Sequence, residues 1–243
     1  SAFQRVLEYF KRNKFFRIIE LIYFRLISIF EYKTLSFLDK NLINLKLFFN
    51  IDGLSTNQNV LINPIFSPSG LVVRYSKEDI NRIKSLDLDM IVRGNARGIF
   101  RGDILNCTKK GIISFHHGDN RWNRGGPAGF WEVFFREIST GFMIQKIDKN
   151  LDYGKIILKG KFQTKSFFLL NQAELYQKSN FYIKKIILFF YKNKKFNFID
   201  KRKKGKIFET PKIINQIKYL FQTFFVLSKK KFGKQKLFSL VFF

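Results

Sequence analysis

Along residues 2–31, apolar side chains recur at helical spacing: Val6, Leu7 and Phe10, then Ile18, Ile19 and Ile22, with Arg and Lys between them. This periodicity predicts one or two helices. The run "FFRIIELIYFRLISIF" carries Arg17, Glu20 and Arg25, so it is too short and too charged to span a bilayer. It reads as a helix packed on a domain, with a helix lying in a membrane interface as the alternative. Residues 41–76 hold short apolar runs broken by Asn, Pro, Ser and Gly, and "LVVRYS" is the best strand among them. In "SKEDINRIKSLD", Ser76 is placed to cap a helix, Glu78 and Asp79 fall in its first turn, and Ile80 and Ile83 share one face. "DMIVRG" and "IISFHH" read as strands. Between them "GIFRGDILNCTKKG" is a loop entering a short helix that ends at Lys109 and Lys110, with Gly111 just beyond.

Further on, "NQAELYQKSNFYIKKIILFFYKN" predicts a long amphipathic helix. "PKIINQIKYLFQTFFVLSKKKF" predicts another, opening on Pro211 and closing on a Lys run that suits a helix C-terminus. "KRKKGK" at 201–206 reads as a solvated basic loop, and the final "KLFSLVFF" as a strand. No internal repeat is visible. Alternating strands and helices from Leu71 to Ile157 predict an α/β fold: a three-layer, Rossmann-like parallel sheet with helices on both faces, followed by a helical basic C-terminal extension. The expected division is an α/β domain over 1–160 and the extension over 161–243.

Charge changes this picture less than its size suggests. The 243 residues carry 45 Lys and Arg against 18 Asp and Glu, a net +27, which points to an anionic partner such as nucleic acid or a membrane surface. The excess is uneven. Residues 1–110 hold eighteen basic and ten acidic residues, 111–157 six and five, and 158–243 twenty-one and three. The chain is also crowded with Lys, Ile, Phe and Asn, residues of AT-rich codons, so compositional drift is the first reading and a selected anionic contact the second. The single cysteine, Cys107, forms no disulfide within the chain, and no Cys/His cluster points to zinc, so the expected compartment is a reducing cytoplasm.

The near-neutral block Gly111–Ile157 carries the candidate chemistry. Both histidines of the chain, His116 and His117, end the apolar stretch "GIISF", and Asp152 follows in "LDYG". A strand ending in histidine with a loop aspartate is the arrangement expected of an acid–base pair at the carboxyl edge of an α/β sheet.

The block resembles the catalytic half of the folate-dependent formyltransferases, the family of the methionyl-tRNA, glycinamide-ribonucleotide and amino-sugar N-formyltransferases. That family has a strand ending Asn-x-His, a loop with Arg-Gly and Pro, a helix, Thr-Gly before a strand, and a Leu-Asp-x-Gly loop. Here these stand as Ser114-Phe115-His116, Arg124-Gly125-Gly126-Pro127, a helix from Gly129, Thr140-Gly141 before "FMIQKI", and Leu151-Asp152-Tyr153-Gly154. "RGIFRGDIL" sits where the family grips its folate. The family's opening strand is not evident in the first seventy residues, and the chain, which starts at Ser1 without a signal-peptide pattern, is expected to lack that strand and to lead into a further domain.

The resemblance implies transfer of a formyl group from 10-formyltetrahydrofolate to an amine. It makes His116 an oxyanion donor, with Asp152 orienting it and relaying protons, and it puts Ser114 where the family has its second donor, an Asn. It places the folate against Arg97, Gly98, Ile99, Phe100, Gly102, Asn150 and Leu151. "HGDNR" replaces the family's usual loop, which suggests a distinct acceptor held by His117, Asp119, Asn120 and Arg124, with Arg121 as a further phosphate ligand. That acceptor is expected to be an amino sugar or its nucleotide- or lipid-linked form. Two alternatives stand. One is a methionyl-tRNA formyltransferase-like enzyme using the basic tail on tRNA, against which the helical reading of the tail argues. The other is a non-catalytic binding protein of the same fold, favoured by Ser114 and opposed by His116 and Asp152. Peripheral membrane contact is a further option, and no transmembrane segment is expected.

Overall fold

The computed structural model describes residues 15–38, 60–94, 98–149, 155–192, 198–199 and 205–232. The helical periodicity before residue 15, the "KLFSLVFF" strand, and the site residues Arg97, Asn150, Leu151 and Asp152 lie outside the described residues.

The elements in chain order are α1 (Phe15–Leu38), β1 (Ile65–Phe66), β2 (Val72–Arg74), α2 (Lys77–Ser85), β3 (Ile91–Arg93), β4 (Ile99–Phe100), a 3₁₀ turn (Asp103–Asn106), β5 (Ile112–His116), α3 (Phe130–Phe134), β6 (Ser139–Lys146), β7 (Lys155–Gln163), α4 (Phe168–Tyr191) and α5 (Ile213–Phe232). The Ser76 cap forms as read: its hydroxyl accepts from Asp79 N at 3.0 Å. The segment 99–110 differs from expectation, since a strand and a 3₁₀ turn replace the short helix.

The strands form two sheets, β1-β2-β4 and β3-β5-β6-β7. The α/β class stands, but the sheets are mixed rather than parallel. β2 pairs with β4 and β3 with β5 in parallel, whereas β5-β6 and β6-β7 are antiparallel. The physical reason lies in the connections. A parallel return needs a crossover of a dozen residues or more. The link from Lys146 to Lys155 is shorter than that, and α3, at five residues, packs against other helices instead of crossing the sheet. β7 runs across the boundary between 160 and 161, where the extension was expected to begin.

Alternation along β5 builds the core on both faces. Ile112 packs with Ile80 and Ile83 of α2, Val73, Phe100 and Ile104. Its neighbour Ile113 turns the other way, into Ile144, Ile157 and Ile183 and Ile186 of α4. A third cluster joins Ile27 of α1, Phe130, Trp131 and Val133 of α3, Phe168 of α4 and Tyr219 of α5. At its edge, buried Glu31 accepts from Tyr219 OH at 2.6 Å and from Leu169 N at 2.7 Å, so a carboxyl on α1 caps the start of α4 and ties α5 to both. Burial pushes this carboxyl up to about 7 against the pull of those two donors.

Candidate functional site

The same alternation sorts the site residues. Ser114 and His116 share the Ile112 face of β5, while His117 faces the opposite side with Phe115. There His117 stacks on Phe115 and meets Tyr176 of α4 edge-on, with ring centroids 4.6 Å apart in the second pair. Burial, with His116 beside it, lowers its pKa to about 4. His117 is therefore a neutral aromatic-cluster residue and is not brought to the His116 face.

Directly opposed residues of an antiparallel pair present their side chains on one face. His116 opposes Met143, and Met143 opposes Lys159, which makes a row across three strands. Gly141 and Lys161 form the next row on that face. The loop 118–124 folds over it. A side chain on Gly141 would stand 2.9 Å from Asp119 Cβ, so the glycine is what lets the loop approach. Asp119, Arg121, Met143, Lys159 and Lys161 line a cavity of about 250 Å³ on this face. Arg121 grips both carboxylate oxygens of Asp119, at 3.0 and 2.5 Å. Burial alone would raise the Asp119 carboxyl, but the Arg121 side chain and backbone N–H, with Lys159, hold it below the usual carboxylate range. Three cations around one satisfied carboxylate leave the cavity electropositive.

His116 Nε2 lies 3.5 Å from Asn123 O, a long contact, and Gly118 packs against its ring. Ser114 is buried and its hydroxyl donates to the Phe115 carbonyl at 3.2 Å, so that hydroxyl is spent on its own strand rather than turned toward the cleft. Asn120 is 1% exposed, and neither its Oδ1 nor its Nδ2 has a partner. Each such orphaned group costs about 1–3 kcal/mol, and a fold that tolerates one needs a reason for it. Arg124 is a brace: its Nε donates to Gly205 O at 2.8 Å.

The brace belongs to a contact that the sequence reading missed. Gly205 and Lys206, read as part of a solvated loop, pair with the site loop. Gly205 N donates to Asn120 O at 2.6 Å, Arg124 N to Lys206 O at 3.0 Å and Gly126 N to Phe208 O at 3.1 Å. Trp131 Nε1 closes the contact on Glu209 O at 2.9 Å.

Beneath the loop, Glu132 is 2% exposed with Oε2 unpartnered, and Asn123 is fully buried with Nδ2 unpartnered. Burial pushes the Glu132 carboxyl up to about 7, against the pull of its own backbone N–H. Glu31 and Glu132 thus share a sign. Both are favoured protonated in the fold, so their stabilisation is full below about pH 4.5 and is lost as pH rises through about 7. A rise from 4.5 to about 7 corresponds to about 3 kcal/mol each. His117 opposes them: its stabilisation is present above pH 6.5 and lost as pH falls toward about 4. Replacing both glutamates by glutamine is expected to flatten the fall in thermal midpoint between about pH 4.5 and 7, as read by a melting series. A fall of unchanged slope would contradict the assignment.

The folate segments can be tested for fit. Of the residues expected to hold it, Phe100 is a core residue instead, packed edge-on against Tyr75 and under the Arg93 guanidinium. Gly98, at φ +80°, packs so tightly on Val73 that a Cβ would stand 2.3 Å from its methyl. Ile99 takes part in the β2–β4 ladder, while Gly102 opens onto free space. Arg101 donates to the Lys149 carbonyl and draws this segment against the one that runs into residues 150–152.

No family-level sequence profile matches the chain. Among curated proteins, GDP-perosamine N-formyltransferase of Brucella melitensis is 32% identical over 75 residues, 31% of this chain and 29% of that protein. Methionyl-tRNA formyltransferase of Clostridioides difficile is 34% identical over 96 residues, 40% and 30% of the two chains. The chain spans about three tenths of the length of these relatives. Among solved structures, a sugar N-formyltransferase from a Shewanella species aligns with TM-score 0.47 and 17% identity, covering 61% of this chain and 64% of that one. Methionyl-tRNA formyltransferase from Clostridium thermocellum aligns with TM-score 0.44 and 14% identity, covering 74% and 77%. Over the stretches that match, the chain is similar to formyltransferases of two kinds, sugar N-formyltransferases and methionyl-tRNA formyltransferases.

Proposed function

We propose that this protein transfers a formyl group from 10-formyltetrahydrofolate to the amine of a phosphate-bearing amino sugar. The observation that carries the reading is the electropositive cavity on the same sheet face as His116, lined by Arg121, Lys159 and Lys161, with Met143 between His116 and Lys159. The two kinds of relative support it: GDP-perosamine and methionyl-tRNA, the acceptors in their names, each carry both phosphate and an amine. When bound, the folate supplies the formyl carbon. Backbone of Gly98 and Gly102, with Arg97, Asn150 and Leu151, would hold it.

Amine attack on a formyl carbon develops an oxyanion, which needs aimed donors. His116 holds one N–H toward that oxygen. Ser114 and His117 are otherwise engaged, so Asn120, with its unpartnered amide, supplies the second donor. Asp152 would orient His116 and take the proton that leaves the amine; as the new C–N bond forms, the bond from the formyl carbon to the folate nitrogen breaks, and that proton passes to this nitrogen so that tetrahydrofolate departs neutral there. Lys159, Lys161 and Arg121 bind the acceptor's phosphate and leave the reacting atoms to His116.

Incubation with 10-formyltetrahydrofolate and a set of nucleotide-linked amino sugars, followed by mass spectrometry of the sugar, tests this directly. Transfer to at least one is the expected result. Transfer to methionyl-tRNA alone would overturn the acceptor, and transfer to neither the reaction. Lys159→Gln with Lys161→Gln is expected to raise the acceptor KM about tenfold with kcat little changed, because uniform binding is lost. An unchanged KM would remove the phosphate from this cavity.

A further inference from the structure

α5 is apolar on both sides. Its inner face carries Gln216, Tyr219 and Thr223 with Leu220, Val226 and Leu227 packed on the core. Its solvent face carries Ile214, Ile217, Phe221 and Phe224, at i, i+3, i+7 and i+10, and the two phenylalanines are 72% and 74% exposed. A helix at a protein surface ordinarily turns a polar face to solvent. α1 adds a second stripe, Ile22, Leu26, Ile29 and Phe30, opposite its buried Ile27, Glu31 and Leu35. The two helices lie side by side. Gln216 Nε2 donates to Glu20 O at 2.8 Å, Arg17 donates to Thr210 O at 2.9 Å, and Tyr219 meets Glu31.

The two stripes leave an apolar area exposed on adjacent helices, and contiguous exposed patches beyond a few hundred Å² are uncommon on a monomer's surface. That area would suit either a second copy of the chain or a lipid surface. Charge decides between them. Arg25 and Lys33 on α1 and Lys218 on α5 stand exposed at the margins, and nearby Glu209 is engaged by Arg17. A second copy would bring another +27 against the first, whereas an anionic bilayer attracts the same charge. No helix among the described residues is long and apolar enough to cross a membrane.

We propose that α1 and α5 form a peripheral membrane-docking face that lies flat on anionic lipid, with Phe221 and Phe224 entering the acyl boundary and the flanking Lys and Arg on the headgroups. The face stands whether or not the chain transfers formyl groups, because none of its residues lines the cavity on the His116 face.

Vesicle co-sedimentation of the full chain tests it. Mixed phosphatidylcholine–phosphatidylglycerol vesicles are expected to bind the protein, pure phosphatidylcholine vesicles at least about tenfold more weakly, and added salt to weaken the first. Phe221→Gln with Phe224→Gln should cut binding to mixed vesicles about tenfold or more. Both positions face solvent, so the thermal midpoint should stay put and certify the fold. Three results would overturn the proposal. A protein that stays in solution as a dimer and ignores vesicles would give the face to a second copy. A monomer that ignores vesicles would mean the rest of the chain covers it. Undiminished binding of the double variant would assign the attraction to lysines alone.

Discussion

Replacing His116 with alanine is expected to abolish formyl transfer, with a loss of about 10³-fold or more in kcat, because an oxyanion donor and the proton path through it go together. Little else should change. The imidazole sits at a strand end, half-buried, and its contact with the Asn123 carbonyl is long at 3.5 Å. The strand itself is held by neighbours on both sides, β3 and β6. Single-turnover rates measured beside thermal midpoints separate the two consequences. A variant that retains its rate would remove His116 from the chemistry. A variant that loses its rate only because it melts would make the residue structural.

The largest structural effect is expected at Gly125. A Cβ there would stand 1.7 Å from the Phe208 carbonyl oxygen and 2.7 Å from its carbon. Because these are backbone atoms, no side chain can rotate away, and the site loop would have to leave the 205–208 segment. The bonds Arg124 N to Lys206 O and Gly126 N to Phe208 O would go with it. Gly125→Ala should cost about 3 kcal/mol or more, at the upper end of overpacking penalties, and should lower activity by releasing the loop that carries Asp119 and Asn120. Denaturant unfolding gives the number. A cost near that of an exposed surface change would show that the loop and the segment do not meet as described.

How far these features were legible in the sequence follows their range. The Ser76 cap, the apolar runs of β5 and β6 and the two long helices α4 and α5 are local patterns, and the chain states them openly. Sheet direction depends on where a strand returns, so the parallel sheet inferred from alternating elements became a mixed one once the Lys146–Lys155 link proved too short to cross over. The positions of Ser114 and His116 on one face, and of His117 on the other, follow from strand alternation. What could not be read was which face meets an aromatic residue of a helix fifty residues later. The lysines of the cavity did carry a signal, since Lys159 and Lys161 stand two apart in "KIILKGKFQ" and so share a strand face. The pairing of Gly205–Phe208 with the site loop carried none. It joins residues about eighty apart, and the basic run before it looks like solvated loop.

Binding of a non-transferring 10-formyltetrahydrofolate analogue to the full chain, followed by calorimetry, tests the central claim most directly, because it needs no knowledge of the acceptor. Saturable binding of one analogue per chain is expected, retained in His116→Ala, since the proposed role of that side chain is toward the formyl oxygen and not toward the rest of the folate. A folded protein that shows no binding, with its thermal midpoint unmoved by the analogue, would contradict it.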